Sequence, residues 1–288
     1  MRKRSINYYA LITTLALAMA TAGLWPGAPS SDLLTPEEAS EFNSCTTQNR
    51  TFQEGEEVTY KMFYNWKFVW VAAGEVTFRV KDMGNQYYLS AVGRTYRSYD
   101  PFFKVRDTYE CYVDKKTMLP TVSIRQVEEG KYRLYDKVTF DRKRKVAKSL
   151  RGKSKETAEI AEYPIDNCIH DILSIIYFAR NVDFADMNPG EKIPIDLFMD
   201  KETWPLSVTY RGQEEQKRIK GNGKFNTMVF SPQLISGEYF REGDEMKVYV
   251  SDDKNRLPLI IESPLSVGSV KAVLKDYKGL KYEMTADL

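Results

Sequence analysis

The chain has 288 residues, with 42 Lys plus Arg against 40 Asp plus Glu and a single histidine. Acids and bases are interleaved along most of its length, which excludes the one-sided basic excess expected of a nucleic-acid binder. The length is sufficient to bury a core without covalent staples, and three cysteines, none in a CxxC pair, argue against a zinc site.

Arg2, Lys3 and Arg4 precede an apolar run from Tyr8 to Ala22, and Ala20-Thr21-Ala22 supplies the small residues that signal peptidase accepts. Residues 1–22 therefore read as the signal peptide of an exported protein. The run is shorter than the roughly 20 apolar residues of a bilayer span, so no membrane span is expected after cleavage. Cys45 lies too far downstream for a lipoprotein anchor. Losing three positive charges and no negative one takes the formal balance from +2 to −1. In an oxidising compartment Cys45, Cys111 and Cys168 allow at most one internal disulfide, and the sequence leaves the pair open.

Residues 23–53 are polar and read as an N-terminal arm, with Thr35-Pro36 able to start one short helix. From 54 to 165 the pattern has period two, as in Val58, Tyr60, Met62 and Tyr64, then Val76, Phe78 and Val80. Such alternation marks half-buried strands. Gly84-Asn85, Glu129-Gly130, Gly212, Gly221-Asn222-Gly223 and Gly243-Asp244 punctuate it as turns. Residues 166–180, DNCIHDILSIIYFAR, carry Ile169, Ile172, Leu173, Ile176 and Ala179 at helical spacing, predicting one central amphipathic helix capped by Asp166 or Asn167. Residues 181–288 return to strands as a second β half.

The two halves share an ordered set of signals. Gly55-Glu56, Tyr112-Val113, Leu119-Pro120 and Gly130 recur as Gly190-Glu191, Tyr249-Val250, Leu257-Pro258 and Gly268, at offsets of 135 to 138 residues. The spacing predicts two pseudo-repeated halves.

GEEVTY at Gly55, DPFFKVRDTYECYVD from Asp100, the following Leu119-Pro120, HDILSIIYFAR and YVSDDKNRLPL from Tyr249 resemble the bacterial domain of unknown function 3108 family (DUF3108) over most of Phe52 to Tyr277. The resemblance implies a secreted or periplasmic location, periplasmic or outer-envelope associated in a Gram-negative bacterium, and no established activity. The fold expected is all-β with one central helix, a curved antiparallel sheet or incomplete β-barrel. By analogy it resembles the half-barrel of periplasmic lipoprotein carriers, which does not establish a function.

No catalytic set stands out, and no cofactor, metal or nucleotide is implied. Ala147 and Gly152-Lys153-Ser154 satisfy a loose phosphate-loop spacing, but the surrounding DRKRKVAKSLRGKSKET offers neither a buried strand nor a helix start, so it reads as a solvated basic hairpin. His170 and Asp171 are sequence neighbours, which point about 100° apart on a helix and form no dyad with each other. Carboxylates such as Asp252-Asp253 are ordinary turn formers. Aromatics leave the most room for function: Trp66, Phe68 and Trp70 alternate and would share one face of a regular strand, with Phe102 and Phe103 shortly after. These five are the candidate ligand-binding residues, against the plainer reading as core.

The reading that follows is an exported envelope protein, non-enzymatic, binding a lipid or other apolar envelope molecule. Two alternatives stand beside it. One is a structural or assembly partner of envelope proteins; the other is a hydrolase built on His170.

Overall fold

The computed structural model describes residues 46–66, 69–219, 221–234, 244–265 and 267–288. Residues 1–22, read above as a signal peptide, most of the expected arm with its Thr35-Pro36 helix start, Cys45, Phe68 and Gly243 lie outside them, and so does the side chain of Trp66.

The first β half folds as β1 (Glu57–Trp66), β2 (Val69–Asp82), β3 (Gln86–Thr95), β4 (Arg106–Asp114), β5 (Pro120–Glu129), β6 (Tyr132–Asp141), β7 (Val146–Gly152) and β8 (Glu159–Pro164). A two-residue strand β9 (Ile169–His170) and the helix α1 (Ile172–Ala179) follow. The second half contains β10 (Lys192–Met199), β11 (Glu202–Ile219), β12 (Gly223–Pro232), β13 (Lys247–Ser251), β14 (Pro258–Pro264) and β15 (Ser269–Lys278). All fifteen strands join one sheet in the order β8-β7-β6-β5-β4-β3-β2-β1-β15-β14-β13-β12-β11-β10-β9. Every pairing is antiparallel except β9 with β10. Strand alternation has its expected outcome, since Val58, Tyr60 and Met62 are all buried in one core cluster.

Two six-strand meanders, β1–β6 and β10–β15, repeat each other's irregularities. Gly55 and Gly190 both take positive φ, and their N–H groups donate to Val80 and Tyr210 carbonyls at 3.1 and 2.8 Å. The return bonds run from the Val80 and Tyr210 N–H groups to Glu56 and Glu191. A β-bulge falls at Tyr112/Val113 and again at Tyr249/Val250. Bulges of this kind bend the strand and increase local twist, so their repetition curves both halves in the same sense.

The curvature brings the far strands of the first half against the β10–β11 hairpin. Phe198 on β10 packs edge-on to Phe140 on β6, with centroids 6.1 Å apart, and tilts against Tyr163 on β8. Beside them Asp200, in the tight β10–β11 turn, accepts from Arg125 and Arg151 at 2.7 Å each, and both guanidiniums also reach Asp136. The opening in the barrel is thereby bridged by side chains instead of a backbone ladder.

Helix α1 is shorter than the 166–180 segment predicts. Asp171, not Asp166 or Asn167, is the N-cap, accepting from the Leu173 and Ser174 N–H groups while the Ser174 hydroxyl accepts from the Asp171 N–H. Tertiary bonds take the preceding residues away from the helix. Arg142 donates to the Asn167 and Ile169 carbonyls, and Ile169-His170 pair with β10. Nor is the helix amphipathic in the expected sense. Leu173, Tyr177 and Phe178 pack on the core between β2 and β4, while Ile175 and Ala179 line a cavity on another side and Ile176 borders both. A helix apolar on all sides belongs inside a structure, and this one lies within the curl of the sheet.

Two further expectations change, and one, the basic hairpin around Gly152, holds. Gly212 does not end a strand but sits at a bulge inside the long β11 with φ +97°. Trp66 and Trp70 belong to two strands, not one, since Asn65 pairs with Trp70 and Trp66 with Val69 across the β1–β2 hairpin. Gly152 closes the β7–β8 connection, where a Cβ would lie 2.7 Å from the Ala158 Cα and the Thr157 carbonyl oxygen, so its glycine serves backbone approach within a hairpin.

Candidate functional site

Between α1 and the second meander lies a cavity of about 240 Å³. Its walls are the inward-facing residues of β10 to β14, among them Ile193, Ile195, Val208, Val250 and Ile261, with Ile175, Ile176 and Ala179 of α1 opposite. Strand alternation aims these aliphatics inward, and the short α1 leaves the space beside them unfilled. An engineered apolar cavity of about 150 Å³ already stays dry and takes up small apolar molecules, so a lining of this kind selects against water and polar ligands.

One end of the cavity is closed by charge. Arg180, just past α1, donates to Glu56 Oε1 at 2.6 Å through Nη1 and to Oε2 at 2.9 Å through Nη2, and its Nε and Nη2 also reach the Asn255 carbonyl. Burial works against the Arg180 charge, but the Glu56 carboxylate outweighs it and holds the guanidinium pKa above its ordinary value. Arg256 stands next to this pair, donating to the Val182 carbonyl and lying 5.3 Å from the Phe184 ring centroid. At the other end Gln233 is the exposed residue of the lining and marks the mouth, with Leu234 and Met246 beside it.

A smaller cavity of about 50 Å³ lies on the far side of α1, sharing Phe78, Ile172 and Ile176 with the first. Asp107 and Tyr109 supply its polar edge. Burial raises the Asp107 carboxyl well above the ordinary carboxylate range, to about 7, although it accepts from the Glu128 N–H at 2.9 Å.

His170 lines neither cavity. It is 1% exposed, its Nδ1 lies 3.2 Å from the Ser174 hydroxyl, and burial, helped by Arg142, pushes its pKa down to about 3. Ser174 is fully buried and committed to the helix cap. A histidine kept neutral beside such a serine has the right atoms for acid–base work, but substrate has no path to the hydroxyl. Cys111 is a buried free thiol donating to Asp171 Oδ1 at 3.0 Å, and burial pushes its pKa far up, the opposite of an activated nucleophile. Cys168 is disulfide-bonded. Among the described residues no three His, Cys, Asp or Glu side chains group as a metal would require.

A family model described as a protein of unknown function (DUF3108) matches residues 59–275. The chain belongs to the DUF3108 family. No curated protein matches it. Among solved structures, this DUF3108 chain is similar to a β-barrel-like protein of another domain of unknown function, DUF1849, from Brucella abortus. The TM-score is 0.53 at 8% identity, over 79% of this chain and 98% of that one, a likeness that shows the fold alone. Also similar are a protein from Bacteroides fragilis described as exported with a YmcC-like fold, and one from Parabacteroides distasonis described as a lipoprotein. Their TM-scores are 0.31 and 0.29, at 12% and 11% identity, over 81% of this chain and 99% of each. No helix among the described residues of the DUF3108 chain is long and apolar enough to cross a membrane.

Of the aromatic candidates of the sequence, the three with described side chains, Trp70, Phe102 and Phe103, do not line the cavity. Trp70 and Phe102 are exposed at one end of the barrel, and Phe103 is buried in a small cluster with Val105 and Tyr99. The cavity lining escapes sequence reading because Ile193, Val208 and Val250 carry the same alternation as any core strand.

Proposed function

We infer that this protein is an exported, periplasmic or outer-envelope binding protein for an apolar envelope molecule, with the cavity beside α1 as the binding site. The observation that carries the reading is the aliphatic lining, which runs from the Arg180–Glu56 pair to the mouth at Gln233. An acyl chain suits such a site, since binding there would be driven by apolar area removed from water, at about 25 cal/mol per Å². The signal-peptide pattern of residues 1–22 supports the location.

Native mass spectrometry of the protein purified from cell envelopes should show copurified lipid, and N-phenyl-1-naphthylamine should bind with enhanced fluorescence. Val208→Trp, which places an indole in the cavity, should weaken dye binding at least about tenfold with little change in Tm. A bare protein that ignores the dye, or a Val208→Trp variant that binds it as well as wild type, would refute the reading.

The edge strand β8 favours the assembly-partner alternative to a degree, with Ile160 63% exposed. That strand also carries Glu159, Glu162 and Pro164, residue types with which sheets block edge pairing, so the cavity has more weight.

A further inference from the structure

The two meanders can be compared with each other at the turn before each Leu-Pro pair. The Asp114 and Ser251 N–H groups donate to the Leu119 and Leu257 carbonyls at 3.0 and 2.8 Å, so both turns close in the same way. In each, the residue just before the leucine is left-handed without being glycine, Met118 at φ 59° and Arg256 at φ 47°. Such a backbone is uncommon and persists only where the surrounding structure determines it. The side chain set on this backbone differs between the halves. Met118 is fully buried in the core cluster of Leu173 and Phe178, whereas Arg256 is half-buried and lines the cavity.

Three charged residues belong to that lining, Glu56, Arg180 and Arg256. Glu56 and Arg180 pair with each other, and Arg256 makes no ion pair among the described residues. Burial lowers the Arg256 pKa, while Asp183 and Asp252 raise it from beyond ion-pair distance. Both of those acids have other partners: Asp183 accepts from the Ala185 N–H and Asp252 from the Gln213 side chain. Arg50 adds a second positive charge from the same neighbourhood. The Arg256 guanidinium is held between two residues of the lining, through its Nη1 bond to the Val182 carbonyl and its position over the Phe184 ring. A guanidinium fixed through one nitrogen still has donors on the other two, and a pair of them matches the two oxygens of a carboxylate or phosphate.

We propose that the cavity takes an anionic amphiphile, with its apolar chain among the aliphatics and its carboxylate or phosphate head on Arg256 at the rim. The inference rests on the apolar-ligand reading above and adds the charge of the head. Because Arg256 is only half-buried, the head keeps contact with water and the chain alone is desolvated. A neutral amphiphile would leave the arginine without a counter-charge, and a cationic one would be repelled by it. A methionine at this position, as in the first half, would supply packing without recognition.

The test displaces N-phenyl-1-naphthylamine, an uncharged dye, from the full chain with dodecanoate, dodecyl phosphate or dodecanol. Each is kept below the concentration at which it aggregates, at about pH 8, where both acidic heads are ionised. The better of the two anions should displace the dye at a concentration at least about tenfold below that of dodecanol, and its identity distinguishes a carboxylate head from a phosphate. Arg256→Gln should weaken displacement by that anion at least about tenfold and leave dodecanol within about threefold, with Tm unchanged. Arg256→Met, which copies Met118, should act in the same way, and retained dye binding reports that either variant keeps the cavity. Anions no better than dodecanol, or variants that bind the anion as tightly as wild type, would overturn the proposal and leave the apolar cavity standing. A wild-type protein that does not bind the dye overturns both.

Discussion

Arg180→Ala is expected to lower the free energy of unfolding by about 3–5 kcal/mol, the cost of stranding one partner of a buried ion pair. Arg180 is 5% exposed and Glu56 1%, and the guanidinium spans four parts of the fold. It follows the C-terminus of α1, pairs with Glu56 before β1, donates to the Thr51 and Asn255 carbonyls, and through Asn255 reaches the C-terminal segment at Tyr282. Alanine leaves the Glu56 carboxylate facing the aliphatic cavity, and an unpaired charge there is disfavoured far more than an absent pair. The companion variant Arg180→Met/Glu56→Gln removes both charges, so urea unfolding should show it recovering more than half of the loss. If the double variant is as unstable as the single one, the carbonyl bonds and not the ion pair dominate the site.

Much of this fold was legible because its signals are local. Alternation at Val58, Tyr60 and Met62, turn glycines such as Gly84 and Gly130, and the Leu-Pro pairs at 119–120 and 257–258 each act within a few residues. The repeat was legible for the same reason, since a bulge or a positive-φ glycine has the same chemistry in both halves. The β1–β2 hairpin was not, because NWKFVWV contains no glycine or proline and reads as one continuous strand. The helix start was misplaced because its decisive contacts, from Arg142 and β10, come from 25 residues or more away in sequence. The cavity was hidden for a different reason. Whether inward aliphatics meet each other or leave a gap depends on how far the sheet curls around a short helix, and no single position records that.

Acidification is expected to tilt His170→Gln and Asp107→Asn in opposite directions relative to wild type. Burial lowers the His170 pKa from 6.5 to about 3, so the unfolded chain holds that proton more tightly. Its contribution to stability is fully present above pH 6.5 and is lost as the pH falls toward 3, on the order of 2 kcal/mol by pH 5. Burial also raises Asp107 from 3.8 to about 7, so there the folded state holds the proton more tightly. That contribution is fully present below pH 3.8 and is lost as the pH rises through 7. Between pH 7 and 5 the two oppose each other in the wild type. Removing the histidine leaves Asp107 to favour the acid side, so His170→Gln should gain stability relative to wild type on going from pH 7 to pH 5. Asp107→Asn, which still accepts from the Glu128 N–H, should lose it over the same interval. Urea unfolding at the two pH values reads the difference, and two variants running parallel to wild type would contradict it. The opposition has one physical origin: burial favours the neutral form of both side chains, an uncharged imidazole and a protonated carboxyl, and because one neutral form is the base and the other the acid, the same desolvation gives opposite pH dependences.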